Sequence, residues 1–303
     1  MLRPVKTSSL TDHHYDTLNI RYAEHIQALY FAMEPGKIPC FSHQLLKDID
    51  NFQTRTSDHL RRNYNPEHPI DYLIFTSDVP GIFNLGGDLA FFVSTIKSGD
   101  RALLSQYARL SIDVLYSNYT NLKDNNITTI SLVNGTALGA GFEAALSSDY
   151  IIAEAGSEFK FPEVVFNMFP GMGSYSFLAR RIPAATVERM IINAEGFTAE
   201  QLYEMGVVDM VADKGKLDEA LATFIRRHRK SQITRKAVLQ MRNRIFPLDK
   251  QELYDIADYW VDSAFSLSDR DINAMSRLVR AQTKMMSLQT ENEEQPVKQP
   301  LTA

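Results

Sequence analysis

The sequence predicts an α/β protein whose last third is helical. Three observations carry this. Short β-branched runs such as TTISLV alternate with segments whose apolar residues recur at helical spacing, two glycine-rich turns each leave a strand, and beyond about residue 186 amphipathic helices dominate. The connections are too uneven for a barrel or a solenoid.

In chain order, TLNIRYAEHIQALYFAME alternates well enough for two antiparallel strands and ends at a Pro-Gly turn, Pro35 and Gly36. After IPCFS, HQLLKDIDNFQTRTSDHLRR places Leu45, Leu46, Ile49, Phe52 and Leu60 at helical spacing. DYLIFTSD at 71–78 is a third strand, leading through VPGIFNLGGDL into a helical region that ends in ARLSIDVLYSNY. TTISLV at 128–133 enters the turn NGTALGAG, and FEAALSSD leaves it as a helix. Glu143 falls in the first turn of that helix, where free N–H groups and the helix dipole favour a negative charge. On this stretch alone it is equally a plain helix-start carboxylate. YIIAEA at 150–155 is a strand, SEFKFPEVV a short extended piece, and GVVDMVA at 206–212 the last clear strand. Segments 216–230, 232–244, 249–266 and 268–286 read as helices. The expected organisation is a core over 1–213, a helical region over 214–288, and a polar, disordered tail over 289–303.

Composition is that of a globular protein, with 44% apolar and 23% charged residues. A net charge of −5 argues against nonspecific nucleic-acid binding. The single cysteine, Cys40, forms no internal disulfide, and no Cys/His cluster has zinc spacing. His13 and His14 are adjacent near a terminus and are set aside as a metal site. With no secretory or membrane-spanning apolar run, the expected location is the cytoplasm, and the sequons at Asn118, Asn126 and Asn134 are chance matches.

Glycine lets backbone approach a ligand closely, so the turns GIFNLGGDL and NGTALGAGFE could aim two N–H groups at one oxygen. Gly87 and Ala140 are the candidate donors of such an oxyanion hole. Glu163 stands in FPEVVFN among Phe161, Pro162, Val164, Val165 and Phe166, which should desolvate its carboxyl and raise its pKa. Two glutamates with an oxyanion hole suffice to abstract a proton beside a thioester carbonyl and expel a β-hydroxyl, with no cofactor or metal. No GxSxG elbow, GxGxxG loop or GxxxxGK loop occurs, and Ser174 in GMGSYS lacks an evident histidine partner.

FNLGGDL at 83–89, NGTALGAGFE at 134–143 and the P-E element at 162–163 resemble the crotonase (enoyl-CoA hydratase/isomerase) superfamily. The resemblance implies a spiral of ββα units with a C-terminal helical oligomerisation region, and makes Glu143 and Glu163 the catalytic pair. Ala140 departs from the glycine usual there; a backbone donor tolerates alanine if its φ is negative. IPCFS, FNLGGDLAFF, GAGFEAALSSDYIIAE, FPEVVFNMFPGMGSYSFLARR, YWVDSAF and LVRAQ resemble more closely the synthases of diffusible signal factor, over roughly residues 17–285. That branch implies dehydration of a 3-hydroxyacyl group on acyl carrier protein, then thioester hydrolysis, to yield a cis-2-unsaturated fatty acid for cell-to-cell signalling. It also implies a homotrimer or dimer of trimers, and in some members a cognate signal receptor or sensor protein. Candidates for an acyl tunnel are Leu85, Leu89, Phe142, Val165, Met168, Phe169, Met172 and Tyr175, though simple core packing is the commoner reading for any one of them. The run RRHRK at 226–230, with Arg226 and Arg227 foremost, is either a solvated helix face or a landing surface for an acidic carrier; Arg61, Arg62, Arg180 and Arg181 are rival patches. Alternatives are an enoyl-CoA hydratase of fatty-acid breakdown and, from another class, a non-catalytic binding scaffold.

Overall fold

Successive residues of the central strands point into two separate apolar layers, as a sheet buried on both faces requires. The computed structural model describes residues 8–34, 36–62, 69–123 and 127–294. The strands are β1 (Leu18–Ala23), β2 (Ala28–Met33), β3 (Tyr72–Ser77), β4 (Gly81–Asn84), β5 (Thr128–Val133), β6 (Gly135–Leu138), β7 (Tyr150–Glu154), β8 (Glu158–Lys160), β9 (Gly196–Thr198) and β10 (Met210–Ala212). In β3, Leu73 and Phe75 enter the larger apolar layer, while Tyr72 and Ile74 enter the smaller one on the other face.

Six strands form one sheet in the order β1-β2-β3-β5-β7-β10, and four form a second in the order β4-β6-β8-β9. Each of β3, β5 and β7 is followed by a strand of the second sheet, which gives the repeating ββα spiral. β1 and β2 are antiparallel; β2, β3, β5, β7 and β10 run parallel.

Several elements differ from the sequence reading. GIFN and GTAL, taken as parts of turns, are β4 and β6, paired in parallel with Gly81 opposite Gly135. Their glycines hid them from a pattern search, yet the close pairing needs glycine: a Cβ on Gly135 would stand 2.0 Å from the Gly81 carbonyl oxygen. β9 was not foreseen, being three residues long. SEFKFPEVV divides into β8 and a 3-10 turn over Glu163–Phe166. Pro35 and Asn126 lie outside the described residues. Asn118 and Asn134 are structural: the first donates to Ser147 and Ser148, the second to the carbonyls of Ser77 and Val79.

Two of the C-terminal helices pack back onto helices from the first half of the chain. Helix Lys250–Ala264 packs on helix Arg101–Tyr119, and helix Asp269–Glu294 packs on helix Leu89–Ser98 and the 163–166 turn. Helix Leu217–Arg229 covers the opposite face of the large sheet through Leu221, Phe224 and Ile225. Helix Gln232–Ile245 buries no residue. The last helix runs past the expected boundary at 289, and residues 295–303 lie outside the described residues. No helix among the described residues is long and apolar enough to cross a membrane.

Candidate active site

The two glycine-rich segments meet edge to edge. Asn84 Oδ1 accepts from the Gly86 N–H at 2.8 Å, holding Gly86 at φ 102°. A Cβ on Gly86 would lie 3.0 Å from the Leu138 carbonyl and 3.6 Å from the Ala140 nitrogen, and one on Gly141 would lie 2.3 Å from the Asn84 carbonyl. Only chains this bare can bring Gly87 and Ala140 side by side. No acceptor among the described residues takes either N–H. Ala140 begins helix Ala140–Leu146 and has no positive φ, so its methyl group is accommodated without strain.

Glu143 lies one turn into that helix and is 1% exposed. Its Oε1 accepts from the Met172 N–H at 2.7 Å and the Ser174 N–H at 2.9 Å. Burial pushes its pKa up to about 7, against the downward pull of those amides. Glu163 opens the 3-10 turn, and its Oε2 is sealed from solvent with no hydrogen-bond partner. Burial, and then the charge of Glu143, hold its carboxyl well above the usual range. Val164 and Val165, expected to pack around it, are instead largely exposed. The amides favour the anion on Glu143 and the bare pocket favours the neutral acid on Glu163. Above about pH 7 the pair therefore holds one proton, an arrangement that can supply one acid and one base across the same space.

Gly87, Ala140, Glu143 and Glu163 line one small cleft, together with Leu89, Phe92, Tyr107, Ala108, Ser111, Phe166, Gly171, Met172 and Trp260. Tyr107 is fixed by donating to the Phe41 carbonyl at 2.5 Å. Gly87, Leu89, Glu163 and Phe166 also border a larger apolar groove, walled by Leu85, Leu138 and the Leu278, Ala281 and Met285 side of the last helix. Glu163 thus stands where the cleft, or chamber, meets the groove.

Of the tunnel candidates, Leu89 and Met172 line the chamber and Leu85 the groove. The others are corrected. Phe142 is a core residue stacked on Phe161 and edge-on to Phe159. Met168 and Phe169 line neither space. Val165, 58% exposed, faces solvent, and Tyr175, 40% exposed, donates to Glu188 on the surface. Sequence reasoning missed Phe92, Tyr107 and Trp260. Trp260 stood in the YWVDSAF segment, but its place depends on helix 250–264 folding back onto the core.

Arg226 and Arg227 also require correction, because helix 217–229 lies across the large sheet from the chamber. Arg180 and Arg181 are internal ties rather than patches. Arg180 donates to Glu252 and the Pro247 carbonyl, and Arg181 to the carbonyls of Ser148 and Val207. The Arg62 side chain lies outside the described residues.

The family profile described as enoyl-CoA hydratase/isomerase matches residues 62–289, and the chain belongs to that family. Among curated relatives, the fatty acid oxidation complex subunit alpha of Pseudomonas syringae pv. tomato is 27% identical over 199 residues, 65% of this chain and 27% of that protein. The subunit of the same name from Pseudomonas savastanoi pv. phaseolicola is 29% identical over 154 residues, 51% of this chain and 21% of that protein. The chain spans about a quarter of the length of these relatives. Among solved structures, enoyl-CoA hydratase from Bacillus halodurans superposes with a TM-score of 0.70 at 16% identity, covering 86% of this chain and 100% of that one. Pseudomonas aeruginosa DspI gives 0.64 at 21%, covering 85% and 98%. Methylmalonyl CoA decarboxylase gives 0.61 at 16%, covering 89% and 97%. The fold is crotonase-like. It carries more than one chemistry, so the reaction has to be argued from the site.

Proposed function

We propose that this protein dehydrates a 3-hydroxyacyl chain held as a thioester on acyl carrier protein and then hydrolyses the thioester, releasing a cis-2-unsaturated fatty acid of the diffusible-signal-factor class. The observation that supports it is the proton-sharing pair Glu143 and Glu163, set in one cleft with the unengaged amides of Gly87 and Ala140. The sequence segments shared with that branch supply the substrate.

In the first step the anionic carboxyl takes a proton from C2, and the two amides hold the enolate oxygen. The other carboxyl gives its proton to the C3 hydroxyl, which leaves as water, and the C2–C3 double bond forms. In the second step a water molecule attacks the thioester carbonyl as the anionic carboxyl takes its proton. The same amides hold the tetrahedral oxyanion, the C–S bond breaks, and the protonated carboxyl supplies the thiol hydrogen. The chamber closed off by Trp260 takes the acyl tail, and the groove admits the carrier's arm past Lys160. The enzyme works in the cytoplasm.

A second reading, favoured by the names of the curated relatives, is an enoyl-CoA hydratase of fatty-acid breakdown using the same residues in the direction of water addition. Mass spectrometry of products from matched 3-hydroxyacyl carrier protein and 3-hydroxyacyl-CoA separates the two. Free 2-enoic acid formed chiefly from the carrier substrate is expected. An intact thioester product formed chiefly from the CoA substrate would establish the second reading instead.

A further inference from the structure

Helix 101–119 and helix 250–264 lie antiparallel and are joined by a ladder of charges. Arg101 pairs with Asp262. Arg109 Nη2 reaches both carboxylate oxygens of Asp258, at 3.0 and 2.8 Å. Asp113 accepts from the Tyr254 hydroxyl and pairs with Lys250. Positions 101, 109 and 113 thus meet 262, 258, 254 and 250, steps of four or eight residues that keep one side of each helix against the other. The Arg109 guanidinium also lies 4.9 Å from the centre of the Tyr254 ring, and Arg180 ties the start of the second helix through Glu252 at 2.9 Å.

These pairs are largely solvent-exposed, and such pairs stabilise little one by one. Their pattern specifies register, because the sign reverses along the ladder. A slip of one helical turn in one direction sets Asp113 against Asp258; in the other it moves Arg109 from Asp258 to the uncharged Tyr254 and strips Asp262 of Arg101. The inner side of the same helix carries Trp260, whose ring lies 5.0 Å from Phe92 and so close to Gly171 that a Cβ there would be 2.6 Å away. A slip of one turn, about 5.4 Å, would carry that ring off the chamber.

We propose that the ladder is a register lock that fixes Trp260 as the end wall of the chamber, making Arg109 and Asp258 positioning residues for acyl-chain selection. The selection rests on the reading that the chamber holds the acyl tail; the lock itself does not. Trp260 is the chain's single tryptophan, so intrinsic fluorescence reports on it alone.

The test compares R109E, D258R and the double exchange R109E/D258R with the unaltered full chain, by Trp260 emission, acrylamide quenching and kcat and KM over a series of 3-hydroxyacyl carrier proteins. Each single reversal is expected to red-shift the emission, increase quenching, and raise KM several-fold at the preferred length while flattening the preference. The double exchange should restore most of both, and the milder R109Q should move both in the direction of the single reversals. Single variants that lower the melting temperature but keep the emission and length preference would overturn the lock, as would a double exchange with no recovery. Emission changes that follow the ladder in a protein inactive on every carrier substrate would leave the lock standing and defeat the substrate reading.

Discussion

Glu163 Oε1 occupies the space a side chain on Gly139 would fill: a Cβ there would lie 2.2 Å from that oxygen. Gly139 also has φ 49°, which an L side chain rarely adopts, and it precedes the helix that presents Ala140 and Glu143. One glycine therefore sets the spacing between the acid and the rest of the site. G139A should lower kcat/KM by about 10²-fold or more, in the range lost when an acid–base group is displaced, with an unchanged far-UV circular dichroism spectrum. A loss of less than threefold would show that Glu163 does not need this seat.

The pH dependence follows from the carboxyl pair. Activity should rise with pH through about 7 as Glu143 ionises, and fall only where Glu163 loses its proton, well above the ordinary carboxylate range. Stability should move the opposite way. The folded Glu143 binds its proton more tightly than the unfolded chain does, so its contribution is complete below its ordinary value of 4.5 and is lost as pH climbs through about 7. The loss is about 3 kcal/mol by pH 8.5. Urea denaturation of E143Q should show a gain of that order over the unaltered protein at pH 8.5 and little at pH 4.5, since glutamine keeps an oxygen for the two amides. An equal difference at both pH values would mean that Glu143 is not desolvated.

Gly171 gives a handle on chamber depth. Its missing side chain lets Trp260 close in, so G171A should push the ring away from its seat and shift the kcat/KM optimum over acyl-chain length. A rate profile over several chain lengths measures this. An unchanged optimum would separate Trp260 from the acyl tail.

Helix 232–245 exposes Ile233, Val238, Met241 and Ile245, followed by Phe246, and touches its own chain's apolar core through the half-buried Leu239. A patch of this kind is expected to be covered by further copies, as a trimer or a pair of trimers. Light scattering should report that assembly at micromolar concentration, and M241E with I245E should reduce it to monomers. A monomer in the unaltered protein would contradict this.

The strongly periodic elements were legible in the sequence. The hairpin of β1 and β2, the helix over 43–62, the strand at 128–133 and the C-terminal helices all appear within a few residues of where their patterns place them. So were Gly87, Ala140 and Glu143, because their neighbours define close-approach turns, and Glu163, from its apolar flanks and the P-E element; the cleft brings all four together. The second sheet was not, since strands of three or four residues containing glycine have no period to detect. The chamber wall was hidden for a different reason. Phe92, Tyr107 and Trp260 come from helices remote in sequence, and only tertiary packing shows which apolar residue lines a space and which, like Phe142, fills the core.

The most direct test is product mass spectrometry on a 3-hydroxyacyl carrier protein in water enriched in ¹⁸O, comparing the unaltered enzyme with E143Q and E163Q. One shared pair of carboxyls requires the unaltered enzyme to release 2-enoic acid carrying one solvent oxygen. Each variant should lose both the double bond and the free acid by about 10²-fold or more. Either variant forming that product at the unaltered rate would contradict the account.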